Sequence, residues 1–166
     1  MGQLSIRLRP GGIDLVPTAG FALGGNYTRR FITLGSRLDV GAGIDFFYDR
    51  FANDTVGLNA NSFAALATAR WRGAKVCPFA AVGPGIVLSS LSSTNVVMEP
   101  VSTSAVQALV RAAVGLEIPT SDAVSIIARA DYTLTFNRPL FVTPEGESFS
   151  VFGDFLHVGV GMLAHF

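Results

Sequence analysis

Between Leu38 and Tyr48 every second residue is apolar or aromatic: Leu38, Val40, Ala42, Ile44, Phe46 and Tyr48 make one row, and Asp39, Gly41, Gly43, Asp45 and Phe47 the other. Successive side chains of a β-strand point to opposite faces, so the pattern predicts a strand with one apolar face and one polar, glycine-rich face. The same pattern returns along the chain. Leu4, Ile6 and Leu8 oppose Ser5, Arg7 and Arg9. Val106, Ala108, Val110, Ala112, Val114, Leu116 and Ile118 oppose Gln107, Arg111, Gly115 and Glu117. Val124, Ile126, Ala128, Ala130, Tyr132, Leu134 and Phe136 oppose Ser125, Arg129, Asp131, Thr133 and Asn137. Leu156, Val158, Val160, Met162, Ala164 and Phe166 oppose His157, Gly159, Gly161 and His165.

Turn signals between these runs predict about eight strands, namely 3–9, 13–27, 34–49, 62–72, 76–88, 104–118, 123–137 and 154–166. The expected short turns lie near residues 28–31, 73–74 and 119–122, and the expected long connections at 50–61, 89–103 and 137–153. Long and short connections that alternate are the habit of membrane barrels, with both chain ends on the short-turn side. Pro78 and Pro84 fall inside the strand 76–88, where a residue without an N–H predicts a bulge or an irregular hydrogen bond at Pro84.

Alternation leaves open which face is inside, since a soluble lipocalin-like barrel alternates too. Charge decides it. Only 14% of residues are charged, and Lys75 is the one lysine among the 12 basic residues. Charged residues occur in the middle of strands on the glycine-rich face, while the apolar rows carry none over long runs, as hydrocarbon demands. The expected fold is therefore all-β, a transmembrane antiparallel up-and-down barrel of about eight strands. Its lumen is polar and its exterior faces lipid. The 49% apolar content and mean hydropathy of +0.46 agree, and no apolar run is long enough for a membrane helix. At 166 residues the chain is read as one domain. Aromatic residues are expected in two interfacial belts: Phe46, Phe47, Tyr48, Phe51, Phe63, Phe136 and Phe152 at the long-loop end, and Tyr27, Phe31, Trp71, Phe79 and Phe166 at the other.

The run Leu156 to Phe166, alternating and ending on phenylalanine, resembles the signal that the assembly machinery of Gram-negative outer membranes recognises, with Val158, Val160, Met162 and Phe166 as its apolar positions. The segment Pro78-Phe79-Ala80-Ala81-Val82-Gly83-Pro84-Gly85 resembles a strand common in small outer-membrane barrels of the OmpA and OmpX kind. The likeness implies an outer-membrane location, contact with outer-membrane lipid, the barrel assembly machinery as a partner during biogenesis, and a presequence removed on export. No peptidoglycan-binding domain is recognisable after the barrel.

Candidate chemistry is sparse. Net charge is zero and basic clusters are lacking, so nucleic acid is not an expected partner. Cys77 is the only cysteine, read as a packing residue. Neither a metal site nor another cofactor is expected. A lumen charge network is expected from Arg7, Arg9, Arg37, Arg70, Arg72, Arg111 and Arg129 with Asp14, Asp39, Asp45, Glu117 and Asp131. It is read as a plug in a barrel whose bore barely holds side chains, with a narrow channel as the alternative. Lipid chemistry at the rim would need serine, histidine and carboxylate within reach. His157 with Asp154 or Glu147, and Ser148 or Ser150, form the candidate set, but no His-x-Ser pattern follows because residue 159 is glycine. The expectation is a non-enzymatic barrel that acts through its loops. Leu140, Phe141, Val142, Phe149 and Phe152 make the 137–153 connection more apolar than a solvated loop requires, and mark it for contact with a protein partner.

Overall fold

The computed structural model describes residues 2–7, 19–52, 56–73, 75–93, 102–136, 141–142, 148–149 and 154–164. Eight antiparallel strands close into a barrel: β1 (Gly2–Arg7), β2 (Ala19–Leu34), β3 (Leu38–Ala52), β4 (Val56–Trp71), β5 (Cys77–Ser93), β6 (Ser102–Pro119), β7 (Val124–Thr135) and β10 (Phe155–Ala164). Each strand pairs with its sequence neighbour, and β1 joins β10 to β2. A two-stranded hairpin, β8 (Phe141–Val142) and β9 (Ser148–Phe149), stands apart within the last long connection, with Phe141 opposite Phe149.

The expected sidedness holds. Along β7 exposed and buried residues alternate almost without a break. Ile44, Val82, Val106, Val114, Tyr132 and Val160 face outward, and Asp45, Arg111, Asp131 and His157 are buried inside. Backbone pairing satisfies the N–H and C=O groups that lipid would leave without partners.

Strand ends depart from the sequence reading in three places. The turn expected near 28–31 does not form: β2 runs on to Leu34, and the reversal comes at residues 35–37, where Gly35 takes a left-handed φ of 61°. A bulge between Arg30 and Ile32 lets β2 continue. One extra residue there switches the inward row from Asn26 and Thr28 to Thr33, which hydrogen-bonds Asp39 across the seam. The connections expected at 50–61 and 89–103 shrink to residues 53–55 and 94–101, because β3, β4, β5 and β6 extend past the apolar rows into polar sequence. Such extension is stable above a bilayer, where pairing continues without lipid contact. At Pro84 the ladder between β4 and β5 breaks, since Ala64 pairs Gly85 and Ala67 pairs Val82 with nothing paired between. The register on either side is the same, so the irregularity expected there is a gap and not a bulge. Gly83 permits it, because a Cβ would be driven into the carbonyl oxygen of Ala65.

The lumen wall is not uniformly polar. Ala60, Ala64, Leu66, Ala81, Val87, Leu109 and Ala113 form a buried apolar cluster on β4, β5 and β6. Buried charged residues come from β3 (Asp39, Asp45, Asp49), β6 (Arg111, Glu117), β7 (Arg129, Asp131) and β10 (His157). Among the expected belt residues, Tyr27, Phe31 and Trp71 are exposed outward at the short-turn end, and Phe46, Phe63 and Phe136 toward the other. Phe46 and Phe63 touch with ring centroids 5.0 Å apart. Phe47 and Phe79 are not belt residues: Phe47 is buried in the lumen, and Phe79 faces inward beside Gly115. The rows had placed Phe47 inward by parity, and parity prevails over aromatic character. Phe152 and Phe166 lie outside the described residues, and Arg29 corrects the uncharged exterior. It occupies the outward row of β2, opposite Ala42, and is exposed.

Candidate functional site

Alternation sends one side chain of every two inward, and the bore of eight strands is about filled by them. The residues gathered at the centre are Phe47 from β3, Arg111 from β6, Arg129 and Asp131 from β7, and His157 from β10. Arg129 forms a two-point pair with Asp45 across the bore, its Nη1 at 3.3 Å from Oδ1 and its Nη2 on Oδ2. Its Nε also donates to Asp131 at 2.8 Å. Such planar two-point pairing is the strongest form of arginine–carboxylate contact and fixes both partners. Arg111, with no exposed surface, donates to Thr133 at 3.1 Å and to Ser62 at 2.6 Å. Its guanidinium carbon lies 4.4 Å from the centre of the Phe47 ring, and that of Arg129 lies 5.6 Å from it. His157 stacks on the same ring at 5.6 Å with planes 3° apart, and its Nε2 lies 2.9 Å from Asp49 Oδ1. Phe47 is thus a hub that three cationic or titratable groups share.

A second cluster sits at the short-turn mouth. Arg70 donates to Glu117 at 2.7 Å, and Ser125 donates to the same oxygen at 2.8 Å. Asp39 accepts from Arg72 Nε at 2.7 Å and from Thr33 at 2.8 Å, with Arg30 at 3.6 Å and Arg70 at 3.9 Å. The hydrogen bond to Asp39 holds the Arg72 guanidinium above its ordinary pKa, against partial desolvation. Between the two clusters lies a cavity of about 590 Å³, lined among others by Thr68, Phe79, Ile127 and Leu163.

The structure therefore assembles most of the expected network: Asp39, Asp45, Arg70, Arg72, Arg111, Glu117, Arg129 and Asp131 all take part. Arg37 does not. It lies in the 35–37 turn, exposed, where its carbonyl oxygen accepts from the Arg72 N–H. The later reversal of β2 removes it from the strand that would have turned it inward. Arg7 lies in β1, while Arg9 and Asp14 fall outside the described residues. Asp49, Ser62 and Thr135, also buried inside, were not anticipated. Asp49 continues the row of Asp39, Asp45 and Phe47, so parity alone identifies it.

The candidate catalytic set is not brought together as expected. Asp154 accepts from the Tyr132 hydroxyl at 2.8 Å and from the Thr135 N–H at 3.4 Å, while the carboxylate at His157 is Asp49. Ser148 lies in β9; Glu147 and Ser150 are outside the described residues. Of the expected contact loop, Phe141, Val142 and Phe149 form the hairpin backbone, and Leu140 and Phe152 are not described. Of the residues expected to form an assembly signal, Val158, Val160 and Met162 are exposed outward on β10, with Met162 the most exposed of the three at 74%.

An eight-stranded barrel with an apolar exterior and a charged, packed lumen defines a small outer-membrane barrel, and its place is the outer membrane. Solved structures of that class superpose on nearly the whole chain. Neisserial surface protein A covers 97% of this chain and 90% of its own, at a TM-score of 0.59 and 13% identity. The outer membrane enzyme PagL covers 97% and 94%, at 0.53 and 13%. Ail, the attachment invasion locus protein of Yersinia pestis, solved with the heparin analogue sucrose octasulfate, covers 98% and 93%, at 0.51 and 15%. At these identities the likeness is one of fold. No protein-family model matches the chain, and no curated protein does.

Proposed function

We propose that this chain is a non-enzymatic outer-membrane barrel that acts structurally or as a surface-interaction protein through its long loops. The observation that carries the reading is the closed centre: Arg111, Phe47, Asp131 and His157 are each 0 to 1% exposed and tied to one another or to the wall. A bore packed in this way gives solutes no continuous path, and a histidine stacked and paired inside it is not presented to lipid at the rim. What remains available to a partner is the long-loop end, where β8 and β9 raise a hairpin bearing Phe141 and Phe149. Surface interaction also fits the company of this fold, which includes Ail bound to a heparin analogue. The protein partner at the loops and the assembly machinery during biogenesis belong to the same proposal.

Deletion of residues 140–150 tests it. The barrel refolds in detergent with unchanged heat-dependent gel migration, and binding of cells or matrix polymers by the full chain is lost. Retention of that binding by the deletion variant refutes the loop role. Mass analysis of lipid A after expression checks the enzymatic alternative, and a changed acylation pattern overturns the non-enzymatic reading.

A further inference from the structure

The connections at the two ends of the barrel differ in net charge. Asp54, Glu99, Glu145 and Glu147 outnumber Arg138 in the long connections and Arg9 offsets Asp14 between β1 and β2, whereas the short turns hold Arg37, Arg72 and Lys75 against Asp122. The backbone joins two of these turns directly, since the Arg72 N–H donates to the Arg37 carbonyl oxygen at 2.6 Å. Arg72 then turns its guanidinium inward to Asp39, while Arg37 and Lys75 are exposed. Above them on the outer wall stand Leu34, Phe31 and Trp71, exposed by 50, 68 and 48%, with Arg29 on the same outward face. Apolar side chains that end in an aromatic ring, with cations just beyond, match the boundary between acyl tails and headgroups. Arg29 is placed to send its charged end down toward that boundary along its own aliphatic stem.

We propose that the short-turn rim, through Arg29, Arg37, Lys75 and Trp71, holds the headgroups of anionic phospholipids in the periplasm-facing leaflet. A cation next to a charged lipid surface gains enough to enrich anionic lipid about fivefold at low salt. The gain is screened within about 10 Å at ~0.1 M salt, so the enrichment is salt-dependent. The rim would then fix the depth and tilt of the barrel from its short-turn side, independently of whatever the loops bind.

Trp71 is the only tryptophan, so its fluorescence reads the rim alone. The full chain is inserted into phosphatidylcholine vesicles in which a small fraction of either phosphatidylglycerol or phosphatidylcholine carries a nitroxide at its headgroup. The labelled phosphatidylglycerol quenches Trp71 several-fold more than the labelled phosphatidylcholine, and the excess disappears at about 0.5 M salt. In the Arg29→Gln/Arg37→Gln/Lys75→Gln variant the two lipids quench equally. Should that variant fail to insert, Arg37→Gln/Lys75→Gln, changed only in the turns, is read the same way. Equal quenching in the unchanged protein, or an excess that survives the substitutions, overturns the proposal.

Discussion

Arg129 shows how a single inward residue organises this lumen. It lies between Asp45 on β3 and Asp131 on its own strand, and its removal leaves two buried carboxylates without their cation. Stranding a buried charge costs about 3 to 5 kcal/mol, more than the intact pair contributes. Arg129→Met is therefore expected to lower the unfolding free energy of the detergent-folded barrel, read from its urea transition, by that amount. Arg72→Gln, at an exposed pair on the mouth, should move the midpoint far less, since solvent replaces the lost contact. A cycle combining Arg129→Met with Asp45→Asn isolates the coupling: the double variant should be more stable than the sum of the single losses predicts. The sequence showed that Arg129, Asp45 and Asp131 face inward, because parity assigns a face. It did not show that residues 84 positions apart meet, because alternation is silent on which strands confront each other across the bore. Nor did it separate Phe47 from the outer aromatics, although its parity was already that of Asp45.

At the scale of the strand, backbone shape decides where the sheet turns and where it gaps. Gly35 takes φ of 61° in the 35–37 reversal, a region in which a side chain is strained by about 1 to 2 kcal/mol. Gly35→Val should lower stability by roughly that much and slow refolding, whereas Gly35→Asn should be milder because asparagine tolerates the left-handed region. Gly83→Ala poses a different problem, because the obstacle is the Ala65 carbonyl of a neighbouring strand and cannot rotate away. A loss of about 1 to 3 kcal/mol is expected there, read from the same urea transition. These positions also explain what the sequence hid. Glycines line the inward rows of β2, β3, β5 and β10, so a glycine does not by itself mark a turn in this chain. The true reversal at Gly35-Ser36-Arg37 looked no stronger than Thr28 to Phe31. The bulge at Arg30 and Ile32 concealed it further by shifting the alternation by one residue, which reads like a strand end. The interior of β7, where neither bulge nor proline intervenes, was legible from end to end.

For the whole molecule, the deciding property is that apolar rows look out and a mixed lumen looks in, and this followed from where charge was tolerated along the strands. The buried apolar cluster that β4 to β6 carry alongside charged residues did not follow, because Leu109 and Ala113 differ little in character from their outward neighbours. Within the lumen Arg111 ties strands together: it reaches from β6 to Ser62 on β4 and to Thr133 on β7, with its guanidinium over the Phe47 ring. Two side chains, the Arg111 guanidinium and the Phe47 ring, thus fill the centre. In planar bilayers the unchanged barrel is expected to show no stepwise conductance. The Arg111→Ala/Phe47→Ala variant removes both the guanidinium and the ring it covers. If it folds, it should open discrete small conductances, biased toward cations because the carboxylates of Asp45, Asp49 and Asp131 outnumber the one guanidinium left beside them, Arg129. Ser62→Ala removes one hydrogen bond from Arg111 and leaves the ring in place, so it should stay closed. Stepwise current through the unchanged protein would mean that the central residues move apart in the membrane, and the loops would no longer be the main route to function.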